Sequence, residues 1–158
     1  MYKSEILFTS GLLHDFGKIP LAFIDNDTYR MIIIDSSKKG IPLLDLENDY
    51  FGITHTQVGL LLAEKWNLPK EIKAAMGNHH LLSNEYSPDQ STECYDLIYY
   101  IHIANNICKK QKIGESGNSE FTEISDQNLE WFNVNISELD KMLDNLKEEL
   151  VSVDYFWK

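Results

Sequence analysis

Apolar residues recur along this chain at helical spacing and almost nowhere in strict alternation. Thr54-His55-Thr56-Gln57 has the form of a capping box, in which a threonine accepts from the third helical amide and a glutamine reaches back. Behind it Val58, Leu61, Leu62 and Trp66 fall at helical spacing, and Gly59 marks a close helix contact. Asn67-Leu68-Pro69 ends that helix, with Pro69 suited to open the next. Further stripes follow at Ile72, Ala75, Met76 and His79, at Leu97, Ile98, Ile101, Ala104 and Cys108, and at Leu139, Met142, Leu143, Leu146 and Leu150, the last capped by Ser137. Thr28 to Lys38 and Pro42 to Phe51 are weaker helical segments. Ile32-Ile33-Ile34 is β-favouring but short and isolated. Leu82 to Thr92 and Ile113 to Thr122 read as loops around Pro88, Gly114 and Gly117. The expectation is an all-α bundle.

Composition sets few limits. The chain has 158 residues, enough for one domain with a real core. The formal net charge of -11 disfavours bulk binding of nucleic acid. It leaves room for a single phosphorylated small molecule held locally. Cys94 and Cys108 lie 14 residues apart in one predicted helix, too far to bridge, and read as buried thiols in a reducing compartment. No stretch resembles a secretory signal or a membrane span, so the reading is cytoplasmic.

The histidines change the picture. A lone histidine near an apolar face is more often a hydrogen-bonded core or surface residue than a ligand. Here His14 and Asp15 continue the side of Ile6 and Leu7, and Gly17 offers a helix stop. His79 and His80 sit at the end of the helix begun by Ile72, and His55 lies in the first turn of its own. All tend towards a bundle interior near helix ends. Burying so many ionisable groups is costly unless they are paired or bind metal. Imidazole and carboxylate suit zinc, iron, manganese or nickel, and an aspartate can bridge two ions.

"HDFGK", from His14 to Lys18, resembles the signature of the HD superfamily. The segment "DYFGITHTQVGLLLAEKWNLPKEIKAAMGNHH", Asp49 to His80, resembles the HDOD branch, mostly bacterial signal-transduction modules. The likeness runs from about Ser10 to about Cys108 and more loosely beyond. It implies an HD-type helical bundle. It also implies a divalent metal site (iron, manganese, zinc, nickel or magnesium) built from His14, Asp15, His55, His79 and His80, with Asp15 and Lys18 as the residues any catalysis would use. For Lys18 two readings stand: contact with a substrate phosphate, or a solvated lysine near a helix C-terminus. Departures from the catalytic relatives are specific. The ligand upstream of the HD pair has no counterpart, Asn105 stands at the expected aspartate position as a buried amide, and no Gly-Tyr-Pro follows His80. His102 reads as structural, and Trp66, Trp131 and Trp157 as core or capping aromatics.

The resemblance therefore implies a signalling module with a degenerate metal site and little or no catalysis, acting on a signalling protein or as a homodimer. The alternative is a metal-dependent phosphohydrolase acting on a phosphate ester or a cyclic dinucleotide. A purely structural helical domain would leave the inward histidines unexplained. Residues 1–158 read as one domain lacking the family's N-terminal helices, either a fragment, a truncated frame or a chain completed by a partner. Residues 123–158 read as a helical extension packed on the bundle.

Overall fold

The computed structural model describes residues 2–80, 94–113 and 134–156, and among them every regular element is a helix. The chain divides into two compact units, Met1–Thr122 and Glu123–Lys158. The loops expected over Leu82 to Thr92 and Ile113 to Thr122, apart from Ile113, lie outside the described residues, as do Trp131 and Trp157. Among the described residues no helix is long and apolar enough to cross a membrane.

The first unit begins with α1 (Ser4–Leu13), a turn, and α2 (Lys18–Ile24). The short α2 was not anticipated, because Pro20 and an apolar sequence without a polar face hide it. Gly17 is not a left-handed stop: its φ of -62° is ordinary helical backbone. Its lack of a side chain serves packing instead. A Cβ there would lie 1.9 Å from the carbonyl oxygen of His55 and 2.7 Å from the amide nitrogen of Gly59.

Asp25 opens α3 (Asn26–Lys39), its carboxylate accepting from the Thr28 amide at 3.1 Å and the Thr28 hydroxyl at 2.7 Å. Gly40 closes α3 and Gly52 closes α4 (Leu43–Phe51), both left-handed, at φ 66° and 68°. Both weak helical segments are thus helices, and the isoleucine triplet is helical. Ile32 is fully buried while Ile34 faces outward, because the helix turns successive side chains about 100° apart.

The capping box of α5 (His55–Lys65) forms as read, with Thr54 accepting from the Gln57 amide and Gln57 from the Thr54 amide. The buried face differs from the expected stripe. His55, Thr56, Gly59 and Ala63 are buried, whereas Leu61 and Trp66 are 58% and 49% exposed. Small residues let α5 lie close to α6 (Lys70–Asn78), where Ile72, Ala75 and Met76 are buried as expected. Pro69 precedes the first turn as its cap residue.

Helix α7 (Tyr95–Gln111) buries Leu97, Ile98 and Ile101; Ala104 is exposed and Asn106 takes up the buried side instead. Cys94 and Cys108 are half-buried thiols that form no disulfide among the described residues. Leu21, Tyr29, Ile32, Leu43 and Leu46 form one core cluster. Ala63, Ile72 and Met76 form a second, and Ala75, Leu97 and Ile101 a third. Each fully buried leucine or isoleucine contributes about 2 kcal/mol of transfer free energy.

The second unit contains α8 (Ile136–Phe156). Its cap is Asn135 rather than Ser137: Asn135 Oδ1 accepts from the Glu138 amide at 2.9 Å, and Glu138 Oε2 accepts from the Asn135 amide at 3.0 Å. Within its expected stripe Leu143 is buried, while Met142 and Leu146 are exposed.

Candidate metal centre

Three pieces of chain meet at one point of the first unit. The turn after α1 brings His14 and Asp15, the first turn of α5 brings His55, and the end of α6 brings His79 and His80. One ligand atom from each of Asp15, His55, His79 and His80 lies within 4.8 Å of the others. His14 is at the edge of this group. Its ring meets His79 edge-on at 4.8 Å, and its Nε2 lies 3.4 Å from Asp15 Oδ2.

The ring orientations are fixed from behind. His14 Nδ1 donates to the Gly11 carbonyl at 2.6 Å and His79 Nδ1 to the Ala75 carbonyl at 2.8 Å, each the carbonyl one helical turn back. His55 Nδ1 donates to Glu47 Oε2 at 2.7 Å. A neutral imidazole that donates from Nδ1 has a bare lone pair on Nε2. His55 Nε2 and His79 Nε2 lie 3.3 Å and 3.4 Å from Asp15 Oδ1. None of these atoms, nor His14 Nε2, has a hydrogen-bond partner, and all are buried.

Bare acceptors converging on a carboxylate oxygen repel one another, and buried polar atoms are rarely left unpaired. A cation removes both costs. Donors about 2.1 Å from one ion stand about 3.0–3.4 Å from each other in octahedral or tetrahedral arrangement. The spacing around Asp15 Oδ1 matches that, so the residues present fit a divalent metal ion.

Burial alone would raise the Asp15 carboxyl, but the facing His55 ring, whose own pKa is raised, and the Lys18 ammonium outweigh it and hold it below the ordinary carboxylate range. Lys18 Nζ donates to Asp15 Oδ2 at 2.7 Å, so the lysine grips the aspartate from the side away from His55 and His79. Burial lowers His55 too, yet the carboxylates of Asp15 and Glu47 outweigh it and raise its pKa. Burial, with neighbouring imidazoles, depresses His79 and pushes His80 down to about 2.

Two residues outside the predicted set support the cluster. Glu47 is fully buried on α4, and its signal in the sequence was only its position next to Leu46 and one turn after Leu43. His102 braces the cluster from α7. Its Nδ1 donates to the His79 carbonyl at 3.1 Å, and its Nε2 accepts from Asn106 Nδ2 at 2.9 Å. The buried amide of α7 is therefore Asn106, whereas Asn105 is only half-buried.

Helices as the regular elements among the described residues, with a histidine-aspartate cluster where helix ends meet, make a bundle of the HD type. The HDOD domain model matches residues 1–82, and the chain belongs to that family. A Treponema pallidum (strain Nichols) protein, named only "Uncharacterized protein", is 26% identical over 91 residues, 56% of this chain and 18% of that relative. The chain thus spans less than a fifth of that relative's length. No solved structure matches.

Proposed function

We propose that this chain is a regulatory signal-transduction module whose His-Asp cluster holds one divalent metal ion, with little or no catalysis of its own. The observation that carries the reading is the convergence of unpartnered buried His55 Nε2, His79 Nε2 and Asp15 Oδ1. His80 completes the donors and His14 flanks them. A set rich in imidazole suits zinc, iron, manganese or nickel, and suits magnesium least. Exposed Phe8, Leu12, Ile19, Phe23 and Ile24 on α1 and α2 favour work through contact with a signalling protein or a second copy of the chain.

Little catalysis follows from the donor count. Asp15 is the single carboxylate in the group of convergent donors among the described residues, and Lys18 is engaged with it rather than held towards a phosphate. A second reading, a metal-dependent phosphohydrolase, is favoured by access: the Asp15 and His14 side chains retain 24% and 18% exposure, so a phosphate ester or cyclic dinucleotide can approach. In that case a bound metal would activate water, His14, Asp15, His55, His79 and His80 would hold the metal, and Lys18 would steady the phosphate.

Elemental analysis of protein purified without chelator, followed by assays with an aryl phosphate and a cyclic dinucleotide, tests both readings. The expected result is bound metal without turnover. Protein that holds no metal under any loading condition overturns the metal reading. Metal-dependent turnover lost in His14→Ala establishes the phosphohydrolase.

A further inference from the structure

We infer that Glu47 is a positioning residue for the metal centre: it holds the His55 ring with Nε2 bare towards Asp15 and strengthens that nitrogen as a donor. The inference rests on the metal reading above and adds to it a residue on a different helix.

Glu47 sits fully buried in α4, eight residues before His55. A buried carboxylate is costly and persists where its bonds matter. Its oxygens accept three hydrogen bonds. The His55 amide donates to Oε2 at 2.8 Å, His55 Nδ1 donates to the same oxygen at 2.7 Å, and the Tyr29 hydroxyl donates to Oε1 at 2.8 Å. One oxygen thus binds both the backbone and the ring of a single residue. That fixes where α5 begins and how the His55 ring is turned, in one contact. A helix start alone needs no such group, because Thr54 and Gln57 already cap α5.

The contrast with the other rings is the stronger argument. His14 and His79 lean on backbone carbonyls, and His102 leans on the carbonyl of His79. Among the described residues His55 is the ring backed by a carboxylate. A carboxylate behind an imidazole fixes the tautomer and increases the basicity of the nitrogen facing the metal, and losing such a partner weakens metal binding about 10–100-fold. The donated Tyr29 hydroxyl in turn holds the carboxylate in place. Burial and the adjacent Glu47 push the Tyr29 pKa well above its ordinary value, so it stays a donor.

The test is zinc and cobalt(II) affinity, measured against a chromophoric chelator, for wild type, Glu47→Gln and Tyr29→Phe, each verified as folded by circular dichroism. Glutamine keeps the size and one acceptor but loses the charge. Glu47→Gln is expected to bind zinc about 10–100-fold more weakly, with a shifted cobalt d–d spectrum that a merely structural role would not produce. Tyr29→Phe is expected to move both readouts in the same direction by a smaller factor. Glu47→Gln that folds, binds within twofold of wild type and leaves the spectrum unchanged overturns the inference and leaves the metal reading intact. Should Glu47→Gln not fold, an unchanged Tyr29→Phe overturns it. Wild type that binds neither metal overturns the metal reading, and this inference with it.

Discussion

Gly17 lies so close to His55 that a single methyl group on it would sit 1.9 Å from the His55 carbonyl oxygen. The turn carrying His14 and Asp15 is thereby pressed against the first turn of α5. Backbone cannot retreat as a flexible side chain can. Gly17→Ala should therefore destabilise the fold by about 3 kcal/mol or more. It should also separate Asp15 from His55 and weaken metal binding. Gly11→Ala is the matched control, since its Cβ would meet Ile101 Cδ1 at an ordinary 3.7 Å and alanine favours a helix interior by up to about 1 kcal/mol. Urea denaturation of both variants checks this, and equal stabilities would refute the packing argument.

How much of this was legible in the sequence depends on range. The capping box, the Ile72 stripe and the His-Asp pair are local patterns, and each stands where its residues place it. Convergence of Asp15, His55, His79 and His80, with His14 at their edge, was readable only because all sit at helix ends on inward sides. Leu61 and Trp66 were misplaced because large apolar residues dominate a stripe, while α5 buries its small ones, Gly59 and Ala63. Glu47 was missed for a related reason. In "DLENDYFG" a glutamate reads as solvated, and nothing local reports that a histidine eight residues on will turn back to it. Gly17 was read as a stop because glycine after a helix usually is one, yet here it serves a contact made across the fold.

Thr54 has extended backbone just before α5 and satisfies the Gln57 amide, the same turn in which His55 is gripped by Glu47. Thr54→Ala should cost about 1 kcal/mol. Serine at this position should restore most of it, because the hydroxyl is the working group. Thermal denaturation of the two variants distinguishes a cap from a packing role for the methyl group; if serine behaves like alanine, the methyl group is what matters.

The metal-free protein should lose stability as pH falls below about 6.5. Burial comes first among the causes that depress His79, His80 and His102, so all three take up protons at lower pH in the folded state than in the unfolded chain. In that window the unfolded state binds more protons, and each imidazole removes up to about 1.4 kcal/mol of stability per pH unit. His55 shifts upward instead, so below about 6.5 it is protonated in both states and adds no slope. The contribution of Asp15, whose pKa is lowered, is lost only as pH drops below the ordinary carboxylate range. Urea midpoints at pH 7.5, 6.5 and 5.5 should fall most over the last interval. A flat profile would show that the rings are charged in the fold.

A single ion per chain is the expected stoichiometry, and the reason lies in how Asp15 is shared. Its Oδ2 is taken by Lys18 at 2.7 Å, leaving Oδ1 towards His55 and His79. Two divalent ions about 4 Å apart repel strongly and need bridging anions, and one half-engaged carboxylate among neutral rings does not supply them. Asp15→Asn keeps the shape and removes the anion, so it should weaken binding by about two orders of magnitude or more, since each 1.4 kcal/mol of lost charge interaction is tenfold. His14→Ala should weaken it far less, because His14 Nε2 lies against the Lys18-bound oxygen rather than among the four convergent donors. Titration with zinc, read by calorimetry and elemental analysis, separates these outcomes. Two tightly held ions in wild type, one of them lost in His14→Ala, would place a second centre between His14 and Asp15 Oδ2 and would mean that Lys18 yields the carboxylate when metal binds.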